Sequence, residues 1–165
     1  DRLLLQFSVI LHNCGSYINL KEVGENSYKI IMSTELIGIS HKERMIVATA
    51  VRYLRDYFPE YSQLQDSFDK EEYVRIAKIN AILRLADAMD RSHKQKFTAI
   101  TTTLRSQVLT ITGSTLYDIT LEHGIFQNHS DFFEEVFGIQ PILKQKKTMT
   151  PKHIESTKGK NGGRP

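Results

Sequence analysis

Through the first ninety positions apolar residues recur at the three- and four-residue spacing of helices buried on one side, and after Lys96 that spacing dissolves. Leu3, Leu4, Phe7, Ile10 and Leu11 predict a first helix that ends between His12 and Gly15. Tyr28, Ile31 and Met32 share one face of a shorter helix over residues 25–32. Ser40 followed by Glu43 has the form of a capping box, and Met45, Ile46, Ala48, Thr49 and Tyr53 carry that helix towards Arg55. Pro59 forbids further continuation. Residues 63–68 are polar and read as a loop. Asp69 with Glu72 is a second capping box, and it opens the longest periodic stretch, residues 69–93, along Tyr73, Ile76, Ile79, Leu83, Ala86 and Met89.

Residues 97–103, 108–112 and 115–121 are rich in Thr and Ile, whose branched side chains suit a pleated surface. Gly113-Ser114 between the last two runs predicts a type II′ hairpin. Residues 131–137 read as a short helix capped by Ser130 and stopped by Gly138, and residues 139–145 as a last strand. The chain is therefore helical to about His93 and mixed α+β beyond it.

Composition narrows the class. Over 165 residues 40% are hydrophobic and 25% charged, which is ordinary globular composition. No apolar run approaches the ~20 residues of a membrane helix. The single cysteine, Cys14, cannot form an internal disulfide, which points to a reducing, cytoplasmic setting. The chain opens at the edge of an apolar segment without Met, and so reads as a piece of a longer protein. The net charge of +3 is unevenly spread. From Pro141 onwards seven Lys or Arg stand against Glu155 alone, which gives +6 there and leaves −3 for residues 1–140. Residues 148–165 form a basic tail without apolar residues at its end, and disorder is expected there.

Three local signals carry chemistry: Leu11-His12-Asn13-Cys14-Gly15, Arg52-Tyr53-Leu54-Arg55, and Leu83-Arg84-Leu85-Ala86-Asp87-Ala88-Met89-Asp90-Arg91. In this order, with Asn26-Ser27-Tyr28, Leu36-Ile37-Gly38 and Phe132-Phe133-Glu134-Glu135-Val136-Phe137-Gly138, they resemble the C-terminal region of the exopolyphosphatase / guanosine pentaphosphate phosphohydrolase family. The resemblance runs over residues 3–146 and implies an HD-like helical domain over residues 1–96. A small α+β subdomain of three to four antiparallel strands would follow over 97–147, and the tail over 148–165. It also implies a parent enzyme that removes terminal phosphate from polyphosphate or guanosine pentaphosphate. That reaction occurs in actin-like N-terminal domains that use Mg²⁺, so no cofactor is expected in this piece.

The departures from the family pattern matter as much. A working HD hydrolase holds divalent metal through His and Asp, and the metal activates water. Here Asn13 stands in place of the motif's Asp, Asn26 where the family often has His, and Leu54 in place of the His of Arg-Tyr-His-Arg. Only His12 and an Asp at 87 or 90 remain, too few for a catalytic centre. His12, Asn13, Asp87 and Asp90 are thus vestigial positions, with no metal and no catalytic residue expected. In plainer terms His12 is a capping or core histidine, Asp87 and Asp90 belong to an ion-pair network with Arg84 and Arg91, and Cys14 is a packed small residue.

The basic side chains Arg52, Arg55, Arg84, Arg91, Lys94 and Lys96 are candidates for holding polyphosphate or another phosphate polyanion. A guanidinium fork bonds two phosphate oxygens at once, and successive cations gain affinity through counterion release. The first expectation is therefore a non-catalytic domain that extends the polyanion path, packs with the actin-like domains of its parent and contributes homodimer contacts. Neither a membrane nor a specific nucleic acid is expected as partner. The alternatives are a degenerate HD domain acting only as a dimerisation or regulatory module and, behind it, a metal-dependent HD phosphohydrolase.

Overall fold

The computed structural model describes residues 1–147, and the expected tail over 148–165 lies outside the described residues. Helix α1 spans Arg2–Leu11, α2 Val23–Ser33, α3 His41–Arg52, α4 Tyr61–Leu64, α5 Lys70–Met89 and α6 Thr120–Phe137. Strands β1 (Ala99–Arg105), β2 (Val108–Ser114) and β3 (Gln140–Lys146) form one sheet in that order. The architecture is mainly α with a small α+β part.

Both capping boxes form. Ser40 Oγ accepts from the Glu43 N–H at 3.2 Å while the Glu43 carboxylate accepts from the Ser40 N–H at 2.8 Å. Asp69 and Glu72 exchange the same pair at 2.8 and 2.9 Å. The polar segment expected as a loop contains the single-turn α4, because Glu60 and Gln63 make a third reciprocal box. α5 ends at Met89 rather than His93, since Asp90 takes up the turn: its backbone oxygen accepts from the His93 N–H and its side chain from the Gln95 N–H.

The second half of the chain departs further from expectation. The hairpin is not at Gly113-Ser114 but at Ser106-Gln107, whose φ values of 46° and 64° suit the type I′ turn that matches strand twist. Gly113 lies inside β2 instead, where an added Cβ would stand 2.3 Å from the Phe97 ring that covers it. Residues 115–119 do not form a strand. Thr115 Oγ1 accepts from the Tyr117 N–H, Asp118 accepts from Thr120, and Gln145 Nε2 donates to the Thr115 and Tyr117 carbonyls. These local bonds satisfy the backbone that a ladder would otherwise use. The last helix begins at Thr120, well before residue 131, and Ser130 donates within it to the Phe126 carbonyl instead of capping it. Because α6 is a crossover, β3 runs parallel to β2, so the sheet is mixed and not antiparallel throughout.

Two apolar clusters result. Leu4, Ile31, Ile46, Val47, Val51 and Ile76 centre the first among α1, α2, α3 and α5. Leu85, Met89, Ile111, Phe126, Phe133 and Leu143 centre the second between α5, α6 and the sheet, and Phe132 and Val136 of α6 touch both. α5 is consequently buried on nearly every side instead of along one stripe. Glu122, fully buried on α6, accepts from Ser92 at 2.6 Å and Lys96 at 2.8 Å, which fastens α6 to the chain leaving α5. Burial opposes its ionisation, but these two donors outweigh it and hold the carboxyl below the ordinary range.

Helix α2 approaches α3 so closely that a Cβ on Gly24 would sit 2.2 Å from the Arg52 carbonyl oxygen. Gly24→Ala is expected to lower stability by about 1–3 kcal/mol, since the obstacle is backbone. Gly124→Ala on α6, where an added Cβ meets open space, should instead raise stability by roughly 0.5–1 kcal/mol. Urea titration of both variants measures the opposed signs.

Candidate functional site

The end of α1, the turn after α3 and the last turns of α5 converge on one cleft of about 210 Å³. His12 and Val9 form one wall, Leu54 and Leu83 the floor, and Asp87, Asp90 and His93 the rim. The structure thus gathers three of the four vestigial positions, His12, Asp87 and Asp90, around Leu54. Asn13 does not line the cleft; it starts the 3-10 turn Cys14–Tyr17. Asn26 is buried in α2, its side-chain amide nitrogen without a partner among the described residues.

His12, Asp87 and Asp90 each already have a protein partner. His12 Nδ1 pairs with the Val9 carbonyl at 2.7 Å. Asp87, whose side chain is 9% exposed, places one oxygen 3.0 Å from Arg55 and the other 3.2 Å from Arg91. Asp90 accepts from the Gln95 backbone. A divalent cation needs several anionic or imidazole ligands turned on one point. Among the described residues no group of three or more His, Cys, Asp or Glu is so placed. At Leu54 the floor offers a hydrocarbon with no lone pair. The residues present do not fit a metal.

The six basic candidates separate into distinct environments. Arg55 and Arg91 flank Asp87, and each side chain keeps about a third of its surface exposed. Arg52 lies 2.8 Å from Glu25, between the rings of Tyr28 and Tyr53 at 5.0 and 5.4 Å. Lys94 is exposed. Lys96 is turned inward to Glu122 and the Asp118 carbonyl. Arg84 is buried at 9% exposure and donates to the backbone carbonyls of Tyr53 and Asp56, with its guanidinium 5.0 Å from the centre of the Phe132 ring. Burial pulls its pKa below the ordinary arginine value, against the Asp56 carboxylate.

Two contributors escape the sequence reading. His93 reaches the rim because the turn after Met89 gives it a φ of 53°. His129, on α6, sits among Arg84, Asp87 and Arg91. Burial, reinforced by the two arginines and opposed by Asp87, holds its ring pKa below 6.5. No sequence signal marks His129, because its segment lies outside the helix expected there.

No helix among the described residues is long and apolar enough to cross a membrane. A family model described as Ppx/GppA phosphatase, domain III, matches residues 1–134, from α1 to the last turn of α6. No curated protein matches the chain.

Arg84 and Arg55 should behave differently on truncation. Arg84→Met removes donors from two carbonyls and is expected to cost roughly 2–4 kcal/mol, since hydrogen bonds to a charged group contribute about 1.5–3 kcal/mol each. Arg55→Met removes a partner that is about a third exposed and leaves Asp87 paired with Arg91, so it should cost under about 1 kcal/mol. Equilibrium unfolding compares the two.

His129 predicts a pH effect. An unfolded histidine binds a proton near 6.5, whereas the folded ring resists it, so stability is intact above that pH and falls as pH drops through it towards the folded value. His129→Gln should flatten that part of the profile, read from thermal melts between neutral and mildly acidic pH.

Proposed function

The chain belongs to the Ppx/GppA phosphatase domain III family, and from that we propose that it serves an exopolyphosphatase-type enzyme as a non-catalytic domain. In this reading the Mg²⁺ and the water-activating groups belong to actin-like domains of the same parent, in a reducing cytoplasm that keeps Cys14 a thiol. The observation that carries the reading is Asp87: both of its oxygens face arginines, opposite Leu54, in the one cleft where an HD hydrolase would gather metal. An arginine pair in place of a cation keeps the cleft's shape but supplies no Lewis acid and no activated water.

The domain's contribution is then binding. Arg55 and Arg91 outnumber the carboxylate between them, and with Arg52 and Lys94 they offer a phosphate chain cations that keep exposed surface. Arg84 and Lys96 support that surface from beneath, through Tyr53, Asp56 and Glu122. Contacts remote from a reacting end hold a polymer at high local concentration and favour repeated cleavage. The same domain supplies contacts between copies of the parent.

Polyphosphate titration at two salt concentrations tests this. Binding should weaken steeply with salt through counterion release, and Arg55→Ala with Arg91→Ala should reduce the slope by roughly two contacts. The purified chain should release no phosphate from polyphosphate with any divalent metal. Unchanged binding in the double variant, or turnover abolished by chelator, overturns the reading.

A further inference from the structure

The sheet ends on two unlike edges. β3 carries Pro141, which has no N–H to donate, together with Lys144 and Lys146, and these are devices that keep an edge from accepting another strand. β1 has none of them. Its seven residues include no proline, glycine, lysine or acid, and its one charge, Arg105, stands at the end. Every residue of β1 is exposed, and among the described residues no strand pairs with its outer side.

The apolar layer of the sheet also runs past its cover. The register sets Ile100 and Leu104 on the face that holds Leu109 and Ile111 of β2, and through them Leu143 of β3. Ile111 and Leu143 are buried in the second cluster, but Ile100 and Leu104 are 54% and 58% exposed. The opposite face of β1 is polar, with Thr101 and Thr103.

The strand's own sequence says what fits it. Laid antiparallel to a second β1 about a twofold axis at Thr102, Ile100 meets Leu104 of the second copy, Leu104 meets its Ile100, and Thr101 meets Thr103. The two Arg105 side chains fall at opposite ends, about 20 Å apart at ~3.4 Å per residue, beyond the reach of their repulsion in physiological salt. Moving the axis to Thr101 or Thr103 sets each apolar side chain opposite a Thr or Ser instead. We propose that β1 is a self-association edge, at which two copies of this chain join as one six-stranded sheet centred on Thr102. This rests on the reading above, in which the domain supplies contacts between copies, and names the surface that does so. Seven residues a side, against about 20–30 in a standard interface, make the association weak and concentration-dependent.

Sedimentation velocity of the full chain over a wide concentration range should show a monomer–dimer equilibrium. Thr102→Lys sets two ammonium groups opposite each other and should leave a monomer, with circular dichroism confirming an unchanged fold. In a Cys14→Ser background, Thr102→Cys should cross-link into a dimer on oxidation, because directly paired residues have Cα atoms about 4.5–5.5 Å apart, within the span a disulfide bridges, while Thr101→Cys, diagonal to its own copy, should not. A monomer at every concentration overturns the proposal, whatever covers β1. A dimer that survives Thr102→Lys, or cross-links as well through residue 101, overturns this surface while leaving self-association itself standing. Polyphosphate binding is read separately, so its loss alone faults the functional reading and not the edge.

Discussion

The arrangement of the helical body depends on where one buried guanidinium finds its partners. Arg84 enters the interior from α5 and donates to the carbonyls of Tyr53 and Asp56, in the turn that ends α3. Those oxygens lie at the negative end of the α3 dipole and have no helical partner, so a cation there answers both their hydrogen-bonding capacity and the local field. Asn80, one turn earlier on α5, donates to the Ala50 carbonyl of α3 at 2.8 Å. Two polar side chains thus fix how α5 crosses α3. Neither could be dispensed with cheaply, because each leaves a buried acceptor behind.

That clamp decides what the cleft contains. With Tyr53 and Asp56 held, the intervening residues have little freedom: Leu54 packs inward at 4% exposure and Arg55 emerges to meet Asp87. In a metalloenzyme of this shape a cation would draw side chains from several helices to one point. Here the drawing together is done by Asp87, which holds Arg55 from the turn after α3 and Arg91 from just beyond the end of its own helix. The carboxylate is nearly buried and the arginines are not. The triad is therefore a bridge whose outer members still present charge to solvent, which is what a surface for anions requires and what a metal site would not tolerate.

Much of this was legible in the sequence, and the limits are physical. The capping boxes at Ser40 and Asp69 are local, needing only residues three apart, and both form. The long helix was legible from its period, but not its burial on nearly every side, because Ala81, Leu85 and Ala88 join a cluster completed by α6 and other later residues. The hairpin was missed because Ser106-Gln107 lacks the glycine that announces a left-handed turn, while Gly113 serves the close approach of Phe97. The motif residues His12, Leu54, Asp87 and Asp90 could be grouped by resemblance, and the structure does bring them near. Arg84 reads on paper like its neighbours Arg55 and Arg91; what distinguishes it is a pair of carbonyls 31 and 28 residues away, and no local pattern encodes that.

Helix α6 joins the two halves of the molecule at both of its ends. Near its C-terminus Phe132 lies on Arg84 and 5.1 Å from the Phe58 ring, so it packs against the clamp itself. Near its N-terminus Glu122 is tied to Ser92 and Lys96, on the segment that leaves α5. An ion pair this deep offsets its own desolvation only when its geometry is kept, and it adds little net stability while strongly disfavouring any arrangement that separates its members. A helix pinned at one end by an aromatic contact and at the other by a buried charge cannot roll or slide independently of α5. The sheet packs on that helix, so its strands hold a fixed attitude to the cleft, and whatever engages β1 engages a body in which Asp87 and its two arginines keep a set direction.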